Sequence, residues 1–165
     1  MFLYAFISPT LGFEVCKNTS PGIFTATGDG GTGLYTYQWY RNSTKINLAT
    51  NSTYTPESIT NTEGYYCAIA SGSYGTINTT TTTVTINSAI PTIAGTTPAV
   101  NCGPGHLNIG ALSSSSTVRW YGSSIGGILL GTGTTFITPL INASTIYYAE
   151  AFNGCSSSAT RTPVL

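Results

Sequence analysis

Two tandem all-β sandwiches are predicted by three observations: aromatic residues alternating around each of two tryptophans, an internal repeat, and cysteines shared two to a repeat. In the stretch from Leu34 to Arg41, Tyr35, Tyr37 and Trp39 alternate with Thr36, Gln38 and Tyr40. A period of two places one large aromatic row on a single strand face. In Glu63-Gly64-Tyr65-Tyr66-Cys67 and beyond, Tyr65, Cys67 and Ile69 alternate with Tyr66, Ala68 and Ala70. The pattern then returns. Trp120-Tyr121 repeats Trp39-Tyr40 after 81 residues, while Thr135-Phe136 repeats Thr53-Tyr54, and Tyr147-Tyr148 repeats Tyr65-Tyr66, both after 82. Three landmarks at one spacing mark a repeat architecture.

A central-strand tryptophan followed by Tyr-x-Cys is the signature of an immunoglobulin-type sandwich, in which the indole fills the space between sheets and the tyrosine hydroxyl pins a corner. The expected division is 1–8 as an apolar N-terminal strand, 9–88 as the first domain and 89–165 as the second. Modules of about 80 residues are near the small end for independent folding and gain from a covalent staple. Pairing Cys16 with Cys67 and Cys102 with Cys155 keeps one disulfide inside each repeat, although four cysteines allow three pairings. Metal binding is the competing use, but there is no Cys-x-x-Cys and His106 is the only histidine. Disulfides imply an oxidising, extracellular or cell-surface setting.

Taken in order, Met1-Phe2-Leu3-Tyr4-Ala5-Phe6-Ile7 is an uncharged apolar run outside the repeat. It lacks the basic start of a signal peptide and is far too short to span a bilayer. Such a segment frays unless it docks in a groove. The expected groove belongs to a neighbouring subunit. Leu11, Phe13 and Val15 alternate in a strand ending at Cys16, and Ile23 to Thr27 forms the next. Gly28-Asp29-Gly30-Gly31 is expected to turn, since glycine tolerates positive φ. The Trp39 strand follows, then a short strand at Thr53-Tyr54-Thr55, the Tyr65–Ala70 strand, a hairpin tip at Ser71–Gly75 and a threonine-rich last strand. Ser88-Ala89-Ile90 is too short for a flexible linker. The second copy offers Leu107, Ile109 and Ala111, then Val118 and Trp120, then Thr134 to Ile137, then Tyr147, Ala149 and Ala151. There Ala149 takes the place of Cys67, and the second cysteine moves to Cys155 in the following turn.

Residues 91–165 resemble the immunoglobulin-like repeats of large secreted bacterial surface proteins, including gliding and adhesion proteins. The carriers are Cys102-Gly103-Pro104-Gly105, Arg119-Trp120-Tyr121, Gly131-Thr132-Gly133, Phe136-Ile137-Thr138-Pro139, Tyr147-Tyr148, Gly154-Cys155 and Arg161-Thr162-Pro163-Val164. The first half is similar through Tyr37-Gln38-Trp39-Tyr40 and Tyr65-Tyr66-Cys67. It departs from antibody-type domains because a whole strand fits between Cys16 and Trp39, which moves Cys16 toward an edge. The resemblance implies structural or adhesive roles and transfers no catalytic residue.

Charge is sparse, with five basic and five acidic residues and a net charge of zero. Without a basic patch, nucleic acid is not an expected partner. Five sequons stand at Asn18, Asn42, Asn51, Asn78 and Asn142 and are candidates for glycosylation. No enzyme is expected. A hydrolytic serine needs a base in reach and only His106 is available, while Glu57 and Glu63, the closest acidic pair in sequence, fall in a turn region. No metal or other cofactor is expected either: Asp29 offers one carboxylate where calcium wants six or more oxygens. Tyr40, Tyr66, Tyr74, Tyr121 and Tyr148 fall on outward faces, as a sugar platform or as contact surface covered by a neighbour.

The expected function is therefore a non-enzymatic extracellular subunit of a cell-surface filament, in which residues Met1 to Ile7 donate a strand to the next copy. The alternative is an adhesin stalk or carbohydrate-binding accessory module of a larger secreted protein. Copies of the chain, and possible surface glycans, are the partners.

Overall fold

The computed structural model describes residues 2–114 and 117–165. The chain divides into two units, Met1–Asn87 and Ser88–Leu165. Both are built from mainly antiparallel sheets facing each other, so that alternate side chains of each strand enter a core.

In the first unit one sheet has the order β1 (Leu3–Ser8), β3 (Phe24–Gly30), β6 (Thr53–Tyr54). The other runs β2 (Phe13–Cys16), β9 (Thr82–Asn87), β7 (Glu63–Ala70), β4 (Thr36–Arg41), β5 (Thr44–Lys45), with β8 (Thr76–Asn78) also on β7. Strand β2 is parallel to β9 and the remaining pairs are antiparallel. The period-two reading holds. Tyr65, Cys67 and Ile69 of β7 are fully buried, and Trp39 lies opposite Cys67. Phe24 stacks on Tyr65 at 5.1 Å between ring centroids and leans on Trp39 at 6.2 Å. The buried indole N–H of Trp39 donates to the Asn51 carbonyl at 2.9 Å, which removes the cost of hiding an unpaired donor.

The N-terminal run departs from expectation. Leu3–Ser8 pairs residue for residue with β3 of its own module, from Leu3 opposite Gly30 to Ser8 opposite Thr25. Ile7 is 2% exposed within the same core as Phe24 and Trp39. The segment is thus the first, edge strand of the first sandwich, and its β3-facing hydrogen bonds and inward side chains are already used there. Phe2, Leu3, Tyr4, Ala5, Phe6 and Ile7 do not stand outside the module as a strand to be donated; Met1 lies outside the described residues. The glycine turn also shifts, because Gly28, Asp29 and Gly30 belong to β3. Gly30 has φ of +79°, and a Cβ there would collide with the Phe2 carbonyl oxygen, so only glycine lets β1 lie this close.

In the second unit the sheets are β10 (Ile93–Thr97), β11 (Asn108–Ser113), β14 (Thr135–Ile137), and β13 (Leu129–Thr132), β12 (Thr117–Tyr121), β15 (Tyr147–Phe152), β16 (Thr162–Val164). Trp120 is fully buried opposite Ala149, as Trp39 is opposite Cys67. Phe136 stacks on Trp120 at 5.6 Å and meets Tyr147 edge-on at 5.4 Å. The Trp120 indole donates to the Gly133 carbonyl at 2.8 Å, repeating the arrangement of the first module.

The expected bridges are not formed. Cys16 and Cys155 are each disulfide-bonded, whereas Cys67 and Cys102 are free thiols, so the Cys16–Cys67 and Cys102–Cys155 pairings are not made. The registers give the reason. Phe13 is level with Val84, and Val84 with Glu63. Cys16 therefore lies three positions beyond Glu63 in one direction and Cys67 four in the other, roughly 20 Å apart at strand rise. A disulfide needs Cα atoms within about 7 Å. In the second module the loop holding Cys102 bonds through Gly105 to Ile141, ahead of β15, while Cys155 follows the far end of that strand.

Candidate functional site

The exposed surface of the first module carries two groups of aromatic rings. Along β1 and the residue before it, the inward residues Leu3, Ala5 and Ile7 alternate with Phe2, Tyr4 and Phe6, which are 79%, 50% and 54% exposed. Register places Asp29 beside Tyr4 and Thr27 beside Phe6, and both are exposed with the rings. On the other sheet Tyr40 and Tyr66, cross-strand partners, stack face to face at 4.8 Å and 1°. Each half-covers the other, so this pair is spent on itself. Tyr74 is exposed on the single turn Gly72–Tyr74.

In the second module Tyr121 and Phe152 lie under charged side chains, while Tyr148 is half-buried. Arg161 lies over the Tyr121 ring at 3.3 Å, and Arg119 over Phe152 at 3.4 Å. Glu150 stands between them, 3.7 Å from Arg119 Nη1 and 3.5 Å from Arg161 Nε. Arg161 also donates from Nη1 to the carbonyls of Ser123 and Gly126, which pins the connection between β12 and β13. These are the only three Asp, Glu, Lys or Arg residues after Ser88, and all three meet in one network. Nothing in the sequence spacing announced it, although Arg119 and Glu150 become neighbours once β12 and β15 are paired in register.

The remaining candidates are dispersed. Asn18, Asn42, Asn51, Asn78 and Asn142 are all exposed, and Asn42 Oδ1 accepts from the Gly64 N–H at 2.8 Å. His106 is exposed with Nδ1 2.9 Å from the Thr138 carbonyl oxygen. Glu63 accepts the Tyr65 hydroxyl and faces Arg41 at 3.8 Å, while Glu57 is exposed. Burial pushes the Cys67 thiol up to about 11 and raises Tyr65 beyond the usual phenol range, the latter helped by the bond to Glu63. A cleft of about 550 Å³ opens in the second module, with Ala99, Leu107, Ile109, Ile141 and Tyr147 as its apolar lining. Among the described residues no three His, Cys, Asp or Glu side chains come together, and no helix is long and apolar enough to cross a membrane.

Residues 89–165 match the family model described as Ig-like domain, CHU_C associated. Residues 10–88 match a domain of unknown function, DUF8696. The fibronectin(III)-like modules of CbhA from Clostridium thermocellum share the fold at TM-score 0.52 and 17% identity, over 97% of this chain and 90% of that one. The fold is that of two tandem immunoglobulin-like sandwiches. Two further similar structures are three N-terminal domains of the bacteriophage RB49 Hoc protein and a marsupial T cell receptor. The first has TM-score 0.48 and 13% identity over 99% of this chain and 68% of that one. The second has TM-score 0.48 and 12% identity over 98% and 70%. No curated protein matches the sequence.

As an immunoglobulin-like domain, the first module places β1, β3 and β6 as strands A, B and E, and β4, β7 and β9 as C, F and G. Its corner tyrosine departs from the usual pattern. Tyr65 bonds to the Glu63 carboxylate instead of an upstream backbone group, so that Tyr65, Glu63 and Arg41 form one chain of contacts at the entry to β7.

Proposed function

We propose that this chain is a non-enzymatic part of an extracellular, cell-surface protein, in which the two immunoglobulin-like domains act as a spacer or adhesive stalk. The observation that carries the reading is the tandem itself, with the second domain matching a bacterial immunoglobulin-like family. Domains of this class are typically non-catalytic, and the oxidised state of Cys16 and of Cys155 suits an oxidising compartment. A hydroxyl-rich, charge-poor surface fits a role in which the outer faces meet polymers or other surfaces. The stalk replaces the strand-donated filament because β1 is engaged in its own module. The test is protease shaving of intact native cells, followed by non-reducing peptide mapping. Release of peptides from this chain, with Cys16 and Cys155 oxidised, is the expected result. Protection from the protease with all four thiols reduced would overturn the proposal.

A further inference from the structure

The outer face of the β1–β3 ribbon has an aromatic row that the fold does not use. Phe2, Tyr4 and Phe6 are half or more exposed, while the inward residue Ile7 of the same strand is buried. Isolated exposed apolar side chains are ordinary, but a contiguous row marks a contact surface. Neighbours on one face recur about every 6.8 Å along a strand, so the three rings span roughly 14 Å. Beside them runs a polar row on β3, with Asp29 opposite Tyr4, Thr27 opposite Phe6 and Thr25 opposite Ser8. The carboxylate is oriented, since Asp29 Oδ1 accepts the Gly30 N–H at 2.8 Å.

We infer that this face binds an extended, uncharged polysaccharide with equatorial (β) linkages. Pyranose rings in such a chain present flat C–H faces that stack on aromatic rings, and hydroxyls at their edges that donate to a carboxylate and exchange hydrogen bonds with threonines. Rings along one strand and acceptors along the next match those two properties side by side. The surface is an open sheet face and not a pocket, so the ligand is a polymer touching several rings at once. The face carries one carboxylate and no Lys or Arg, which disfavours nucleic acid, anionic lipid and acidic polysaccharide. A second copy laid on it would bring another Asp29 and no cation to answer the first.

The test is retention of the full chain on cellulose, xylan and chitin, with amylose and pectin as contrasts. Tyr4→Ala and Phe6→Ala each remove an exposed ring, and native tryptophan emission checks that both variants remain folded. Retention on at least one β-linked polymer is expected, weakened about tenfold by each single substitution and abolished by the pair. Ile125→Ala removes an 88% exposed side chain in the other domain and is expected to leave retention unchanged. No retention on any β-linked polymer, or equal retention by the folded double variant, overturns the inference. So does sedimentation showing wild-type dimers that the double variant converts to monomers, because the face would then be a contact between copies. None of these outcomes bears on cell-surface location, which the shaving experiment decides separately.

Discussion

Cys67 stands opposite Trp39 with no exposed surface, and its environment favours the neutral thiol over the thiolate. Its folded-state pKa, raised from 9.0 to about 11, lies above the unfolded value. Its contribution to stability is therefore complete below pH 9 and is lost as pH rises through 11. The urea midpoint of the first module, followed by Trp39 fluorescence in a Trp120→Phe background, is expected to fall across that window. Cys67→Ala should flatten the slope between pH 9 and 10, leaving the decline above 10 that belongs to the raised phenols of Tyr65, Tyr54 and Tyr37. An unchanged slope in the variant would remove Cys67 as the cause. Residue identity gave the burial of Cys67, since it falls on the same alternation as Tyr65 and Ile69. It did not give the absence of a partner, because pairing depends on how β2 and β9 are registered.

At the level of strands, β1 is the element that most changes the functional reading. An apolar run outside a repeat looks the same in sequence whether it fills a neighbour's groove or its own, and only the pairing with β3 separates the two. Gly30 is the point on which that pairing turns. Gly30→Ala adds a Cβ against the Phe2 carbonyl oxygen at a φ of +79°, so the start of β1 must lift away or β3 must deform. We expect a loss of about 1–3 kcal/mol by chemical denaturation, with faster amide exchange confined to β1 and the facing end of β3. Uniform loss of protection over the whole first module would show that β1 is not a separable element. The reading of Gly28-Asp29-Gly30 as a turn failed for a related reason. Glycine composition marks where the chain can turn, but the presence of β1 keeps these residues paired in the sheet.

Across the whole molecule, stability rests on two apolar cores and not on covalent staples. Each core is built around one buried tryptophan whose indole N–H is satisfied by a nearby carbonyl. Reduction removes no contact from either core, so both domains are expected to keep native tryptophan emission and β-sheet circular dichroism in dithiothreitol. Denatured protein should titrate two thiols before reduction and four after it. Collapse of either domain on reduction alone would contradict this account. The sequence by itself determined that the chain is all-β, that it is a tandem, and which residues of the tryptophan and tyrosine strands face inward, because a two-residue period and a repeat spacing are properties of the chain taken in order. Only the tertiary structure decided where β1 docks, which cysteines are oxidised, that Arg119, Glu150 and Arg161 converge, and that Phe2, Tyr4 and Phe6 share a face with Asp29. Those facts depend on which strands lie side by side and in what register, and register is set by contacts between residues far apart in the chain.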